Sequence, residues 1–192
     1  MTEQSPYEHL KACLHREVVG LDHKFTWDRA LRRYLRNYQV RYVFKWRVAS
    51  YLHALGGRRR GKFADWLNRR ISQRHNVEIQ LGAEIGPGLR IIHENGVVIS
   101  RLCRIGENFQ IHQNCTIGAK LDKTGVIRIG DNVTIGAHCC LIGLDMNIGD
   151  DVTIGAGTLV NVDLPSGVTC YSKREYTMVG GDHKCRTLSS VG

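Results

Sequence analysis

The sequence predicts a mainly β chain: a left-handed parallel β-helix of hexapeptide repeats preceded by a small α-helical N-terminal region. Three observations carry this. First, aliphatic residues recur every six positions, at Ile79, Ile85 and Ile91, then Ile99, Ile105, Ile111 and Ile117, then Ile129, Ile135 and Leu141, then Ile148, Ile154 and Val160. A helix asks for a period of 3.6 and a half-buried strand for a period of 2. Period six fits neither; it fits a short strand and a sharp turn, repeated. Second, a glycine follows many of these aliphatics, as in Ile85-Gly86, Ile105-Gly106, Ile135-Gly136 and Ile154-Gly155. Third, the phase is absent before residue 76, where basic and aromatic residues dominate instead.

Taken in order, residues 1–75 form the basic helical region. Asp28 is placed to cap a helix through the following 27 or so residues, and Leu31, Tyr34, Leu35, Tyr38 and Tyr42 fall on one helical stripe. Gly56-Gly57 ends that helix, and a second stretch carries Phe63, Trp66, Leu67 and Ile71. Part of the aromatic set is expected to cover the first coil, because a terminal repeat needs a cap. Residues 76–165 form the β-helix of about four to five coils, and residues 166–192 a closing strand and basic tail. Two departures from phase matter. Ile91 and Ile99 are eight apart, so two extra residues sit beside His93, and the twelve-residue gap from Ile117 to Ile129 reads as a loop leaving the coil. Loops on rigid repeats are common places for sites.

Composition bounds the rest. The net charge is +9, but residues 24–74 alone hold a balance of +13 and the remainder is mildly acidic. Such a module suits an anionic membrane surface, so peripheral contact at an inner membrane face is an expectation; no nucleic-acid recognition motif accompanies the charge. No apolar run reaches the ~20 residues needed to span a bilayer, and the first residues lack a signal-peptide core, so a cytoplasmic location is expected. Seven cysteines without a CxxC pair point to reduced thiols, several packed within the repeat, and to no metal site.

The segment EIQLGAEIGPGLRIIHENGVVIS resembles the active-site segment of serine acetyltransferases and of relatives that acetylate bacterial polysaccharides. Glu78 and His93 are fifteen residues apart, and Gly96-Val97-Val98 follows. The colanic-acid acetyltransferases look closer: they share the EIQ start and a basic aromatic helix ending like Arg47-Val48-Ala49. The resemblance implies an acetyl-CoA-dependent O-acetyltransferase. His93 would be the general base on the acceptor hydroxyl, since imidazole titrates near pH ~6.5. Glu78 would fix its tautomer. His112, Gln113 and Asn114, about one coil on, are candidates to contact the acceptor. The resemblance puts acetyl-CoA in a groove between subunits of a homotrimer, against Ala119, Gly136, Ala137, Gly155 and Ala156, with Lys173 and Arg174 near its phosphates. Serine enzymes carry an Asp before the catalytic His and a second His in the loop; here those positions are Ile92 and Val126. An ammonium left unpaired is costly, so a sugar hydroxyl of a surface polysaccharide or its precursor is the expected acceptor. Serine O-acetylation stays open as the alternative, as does a β-helix metal enzyme of the γ-carbonic-anhydrase kind or a non-catalytic polyanion-binding module.

Overall fold

The computed structural model describes residues 5–118 and 125–173. Four α-helices come first: α1 (Pro6–Leu14), which runs into a π-helical turn at His15–Val19, then α2 (Trp27–Arg36), α3 (Arg41–Ala54) and α4 (Arg58–His75). Their ends have local causes. The Ser5 hydroxyl accepts from the Glu8 amide at 3.2 Å with Pro6 at the first helical position, and the Thr26 hydroxyl accepts from the Arg29 amide at 3.2 Å. Thr26, rather than Asp28, therefore caps α2; Asp28 lies in the first turn and pairs with Arg32. The single long helix expected from residue 28 is two: Asn37 is extended at φ −111° and ψ 111°, and a short 3-10 turn at Tyr38–Val40 leads into α3. The predicted apolar stripe is thereby broken. Leu31, Leu35 and Tyr38 are exposed, and Tyr42 alone of the five is fully buried. Gly56 and Gly57 do end α3, both at positive φ.

Among the described residues fourteen short strands follow, from β1 (Val77–Ile79) to β14 (Thr169–Cys170), wound into three parallel sheets. The order β1-β4-β7-β10-β13 makes the first face, β2-β5-β8-β11 the second and β3-β6-β9-β12-β14 the third. From β1 to β13 every third strand stacks, as a triangular coil built from hexapeptides requires; β14 follows β12 because Leu164 makes only a single bridge to Ile148 on the second face. The register explains the period. On the first face Ile79 pairs with Ile99, Ile99 with Ile117, Ile117 with Leu141 and Leu141 with Val160. On the second, Ile85, Ile105, Ile129 and Ile148 stack in turn. Those columns are buried, together with a second set two residues earlier that includes Val77, Val97, Cys103, Phe109, Cys115, Val133, Cys139 and Val152. Three of the cysteines are thus core side chains, as expected of reduced thiols within the repeat.

The helices close the open bottom of the prism. An exposed first coil would present unpaired backbone groups. Tyr42 and Trp46 supply the partners on the first face: the Ile79 amide donates to the Tyr42 hydroxyl at 3.2 Å and Trp46 Nε1 donates to the Ile79 carbonyl at 3.1 Å. Arg47 does so at the second face, donating to the carbonyls of Ile85 at 2.6 Å and Gly86 at 2.8 Å. Glu17 accepts from the amides of Gly88 and Leu89, both at 2.9 Å, and pairs with Arg47. Phe63 and Trp66 of α4 point away from this junction and are half exposed, whereas Ile71 is buried in it. Among the described residues no helix is long and apolar enough to cross a membrane.

Candidate active site

The edge between the third and first faces gathers most of the predicted site residues. His93 follows β3 (Arg90–Ile92) in the turn to β4 (Val97–Ile99). It is exposed and sits at φ +56°, in the left-handed region. One coil up, His112 pairs in register with Ile92, and the turn after it holds Gln113 and Asn114. Asn114 repeats the left-handed geometry at φ +56°, and His138 does so above it at φ +59°. Backbone hydrogen bonds link these turns in a column: Asn114 to Asn95 at 2.9 Å, His138 to Gln113 at 3.0 Å, Gly157 to Ala137 at 2.8 Å. Gly136-Ala137 and Gly155-Ala156 leave β9 and β12 at the same edge, and Lys173 follows β14 at its top.

Small residues at this edge have a packing reason. A Cβ on Gly136 would lie 2.7 Å from the Ala156 amide nitrogen and 3.0 Å from its Cα. Coils approach too closely there for a side chain. The edge therefore carries small residues in its upper coils, with His93 at its lower end. It has one polar atom to spare: Gln113 Oε1 is buried without a partner.

Glu78 is placed otherwise than the dyad requires within one chain. It lies on β1, opposite Val98, with an exposed side chain whose Oε1 accepts from Gln80 at 3.4 Å. Among the described residues no hydrogen bond or ion pair joins it to His93. His112 Nε2 lies 3.4 Å from Gln110 Nε2. Ala119 and Arg174 lie outside the described residues. Val126, at the end of the excursion, has its amide bonded to Asp145 Oδ1 at 3.1 Å, and that loop leaves the edge between the first and second faces, not the His93 edge. Among the described residues no group of three or more His, Cys, Asp or Glu side chains could hold a metal ion.

Sequence reasoning missed a second polar group at the base of this edge. Glu94, next to His93, pairs with His75 at the end of α4, with Nδ1 to Oε2 at 2.8 Å. Burial pushes the Glu94 carboxyl above its ordinary range, opposed by the hydrogen bond from His75 and the charges of His75 and Lys45. No repeat pattern marks this pair, because its members come from two different kinds of element.

No family model matches the chain. A mitochondrial serine acetyltransferase 3 of Arabidopsis thaliana is 34% identical over 133 residues, 68% of this chain and 34% of that protein. The soybean serine acetyltransferase complexed with serine superposes with a TM-score of 0.66 at 28% identity, covering 88% of this chain and 66% of its own. A serine acetyltransferase in complex with CoA superposes with a TM-score of 0.61 at 25% identity, over 68% of this chain and 53% of that one. The chain spans about a third of the curated relative just named. These likenesses correct the expectation of a polysaccharide O-acetyltransferase close to the colanic-acid enzymes: the similar proteins are serine acetyltransferases. Short likenesses (the EIQ start and Arg47-Val48-Ala49) and the apolar Ile92 and Val126 pointed to a sugar acceptor, but the similarity over 133 residues outweighs them. What the findings support is a hexapeptide-repeat acyltransferase fold, similar in sequence and in architecture to the serine acetyltransferases.

Proposed function

We propose that this chain transfers the acetyl group of acetyl-CoA to the hydroxyl of L-serine. The observation that carries the reading is the similarity to serine acetyltransferases over 68% of the chain, taken with His93 exposed on the edge of the repeat that also carries His112, Gly136 and Gly155. In this reading His93 takes the hydroxyl proton as the oxygen attacks the thioester carbonyl. The new C–O bond forms, the C–S bond breaks, and the proton passes to the departing thiolate. Ala137, Gly136, Gly155 and Ala156 would let the pantetheine arm lie close to the backbone, with Lys173 toward the phosphates. Glu78 would orient the imidazole, and His112, Gln113 and Asn114 would border the acceptor.

Within a single chain the His93 edge is open and Glu78 bonds to Gln80 rather than to His93. Our reading keeps the expected homotrimer, in which a second copy would cover this edge. Peripheral contact with an anionic membrane stays part of our reading; the residues that would meet it are on α4, where Phe63 and Trp66 stack at 5.5 Å and Arg70 lies 5.7 Å over Trp66. Flotation with anionic but not neutral vesicles, weakening with salt, checks that point.

The function is tested by thiol release from acetyl-CoA in the presence of L-serine. His93→Ala should lower turnover by at least ~100-fold, with acetyl-CoA affinity by calorimetry little changed. Wild-type protein without serine-dependent thiol release, or near-normal turnover in His93→Ala, overturns the reading.

A further inference from the structure

A cavity of about 250 Å³ opens between α2 and the loop that precedes it, lined by Val19, His23, Arg29, Arg32, Arg33 and Arg36. Arginines dominate its lining and no acid joins them. They gather for a geometric reason. Arg29, Arg33 and Arg36 stand at i, i+4 and i+7 on one flank of α2. The buried Ala30 and half-buried Tyr34 turn the opposite way, toward the body of the protein. The loop is held against that flank. Gly20 turns at φ +90°, the His23 amide donates to the Gly20 carbonyl at 3.2 Å, and His15 Nε2 donates to the His23 carbonyl at 2.7 Å.

These guanidiniums are unequally committed. Arg32 pairs with Asp28, and Arg29 donates to the Lys24 carbonyl at 2.8 Å. Among the described residues the guanidiniums of Arg33 and Arg36 have no hydrogen bond or ion pair. The helix does not need them to finish its last turn. Arg41 donates to the carbonyls of Tyr34 at 3.1 Å and Leu35 at 2.7 Å, and the Asn37 amide donates to that of Arg33 at 2.8 Å. Like charges three and four positions apart on a helix repel. Within α2 Asp28 is the only acid set against Arg29, Arg32, Arg33 and Arg36, so most of that repulsion stands uncompensated. A bound anion removes it. No aromatic ring lines the cavity, so nothing there selects a base. Each guanidinium fork matches two acceptor oxygens. Three forks around one small cavity ask for an acceptor with more than two oxygens, which a phosphate has and a carboxylate lacks.

We propose that this cavity is a binding site for a phosphate group bearing two negative charges, as at the end of a phosphomonoester or of pyrophosphate. Arg29, Arg33 and Arg36 donate to its oxygens, and His23 borders it from the loop. Arg32, held by Asp28, adds charge at the rim. The site is built from the helical region alone and does not depend on the acyl-transfer reading. Two sources supply such a group: a small soluble phosphate, and a lipid whose head group is a phosphomonoester.

The test measures pyrophosphate and acetate binding to the intact chain by calorimetry at fixed ionic strength. In parallel, the chain is sedimented with phosphatidylcholine vesicles that carry phosphatidate or, at matched charge, phosphatidylserine. Pyrophosphate should bind and acetate should not, and pyrophosphate should raise the thermal midpoint. Arg33→Gln should weaken pyrophosphate binding by about 10-fold or more, through the loss of charge-assisted hydrogen bonds. Arg33→Gln/Arg36→Gln should abolish both the binding and the midpoint shift. Arg33→Lys/Arg36→Lys keeps the charge without the forks and should recover only part of the affinity, which separates a built site from diffuse charge. Phosphatidate-dependent sedimentation that is lost in Arg33→Gln/Arg36→Gln, without pyrophosphate binding, assigns the site to the lipid. Pyrophosphate binding lost in that variant, with sedimentation absent or unchanged, assigns it to the free group. Absence of both kinds of binding, full affinity in the lysine variant, or pyrophosphate binding that survives Arg33→Gln/Arg36→Gln overturns the proposal. Circular dichroism checks that each variant keeps its helices; should Arg33→Gln unfold, Arg36→Gln alone decides the matter.

Discussion

The junction between the helical region and the β-helix hangs on one buried ion pair, and removing half of it should be costly. Arg47 and Glu17 have side chains only 4% and 1% exposed. The guanidinium donates to Glu17 at 2.9 Å from Nε and 2.6 Å from Nη2, and to the carbonyls of Ile85 and Gly86. Burial alone would lower the Arg47 pKa, but the charge of Glu17 and the hydrogen bond to it more than offset this and hold it above its ordinary value. Arg47→Met fills similar space with an apolar stem. It strands the Glu17 carboxylate with only the Gly88 and Leu89 amides, and leaves two carbonyls of the first coil without their donor. An uncompensated buried charge of this kind costs about 3–5 kcal/mol, out of a total of about 5–15 kcal/mol for a typical domain. Urea unfolding followed by tryptophan fluorescence suits the measurement, because Trp46 is fully buried beside Arg47. The double variant Glu17→Gln/Arg47→Met removes both charges and should regain part of the loss, giving a coupling of about 2 kcal/mol or more. A loss below about 1 kcal/mol for Arg47→Met, or strict additivity in the cycle, would refute this reasoning.

The remaining predictions concern the repeat and the buried thiols. Asn132 sits at φ +58° and links Asn108 at 2.9 Å to Asp151 at 3.0 Å in a ladder of left-handed turns; Asn132→Ala should lower unfolding free energy by about 1–2 kcal/mol, Asn132→Gly by less. Gly136→Ala forces a Cβ against the Ala156 backbone and should lower stability by about 1–3 kcal/mol, read as a drop in thermal midpoint. The thiols of Cys13 and Cys103 are pushed up to about 12 by burial. At pH 8 a disulfide reagent should therefore modify the part-exposed Cys140 and Cys170 first, and Cys13 and Cys103 only on unfolding. Because these two folded-state values lie above the ordinary 9.0, their contribution to stability is intact below pH 9.0 and is lost as pH climbs toward 12, so the urea midpoint should fall across that window. Rapid labelling of Cys103 in the folded protein, or a flat midpoint from pH 9 to 11, would contradict the burial argument.

The sequence by itself determined the β-helix, because one inward aliphatic per hexapeptide is a local requirement repeated at every coil. Ile99, Ile117 and Leu141 had to stack once the chain turned every six residues, and their burial follows. It also singled out His93 as a candidate, since two extra residues beside a histidine disturb the six-residue phase. The helical region carried no such constraint. Leu31, Leu35 and Tyr38 form a plausible stripe on paper, yet the extended Asn37 breaks the helix and the chain uses Tyr42, Trp46 and Arg47 to satisfy the first coil. Which of many aromatic and basic residues meets an unpaired carbonyl depends on where three helices cross. The Glu94–His75 pair was illegible for the same reason: nineteen residues and a change of secondary structure separate its members. Glu78 shows the converse, for its spacing from His93 is right while its side chain, alternating outward on a strand, finds Gln80 instead within one chain. Periodicity fixes what must be buried in each coil, and only the tertiary structure decides which polar groups meet at its ends.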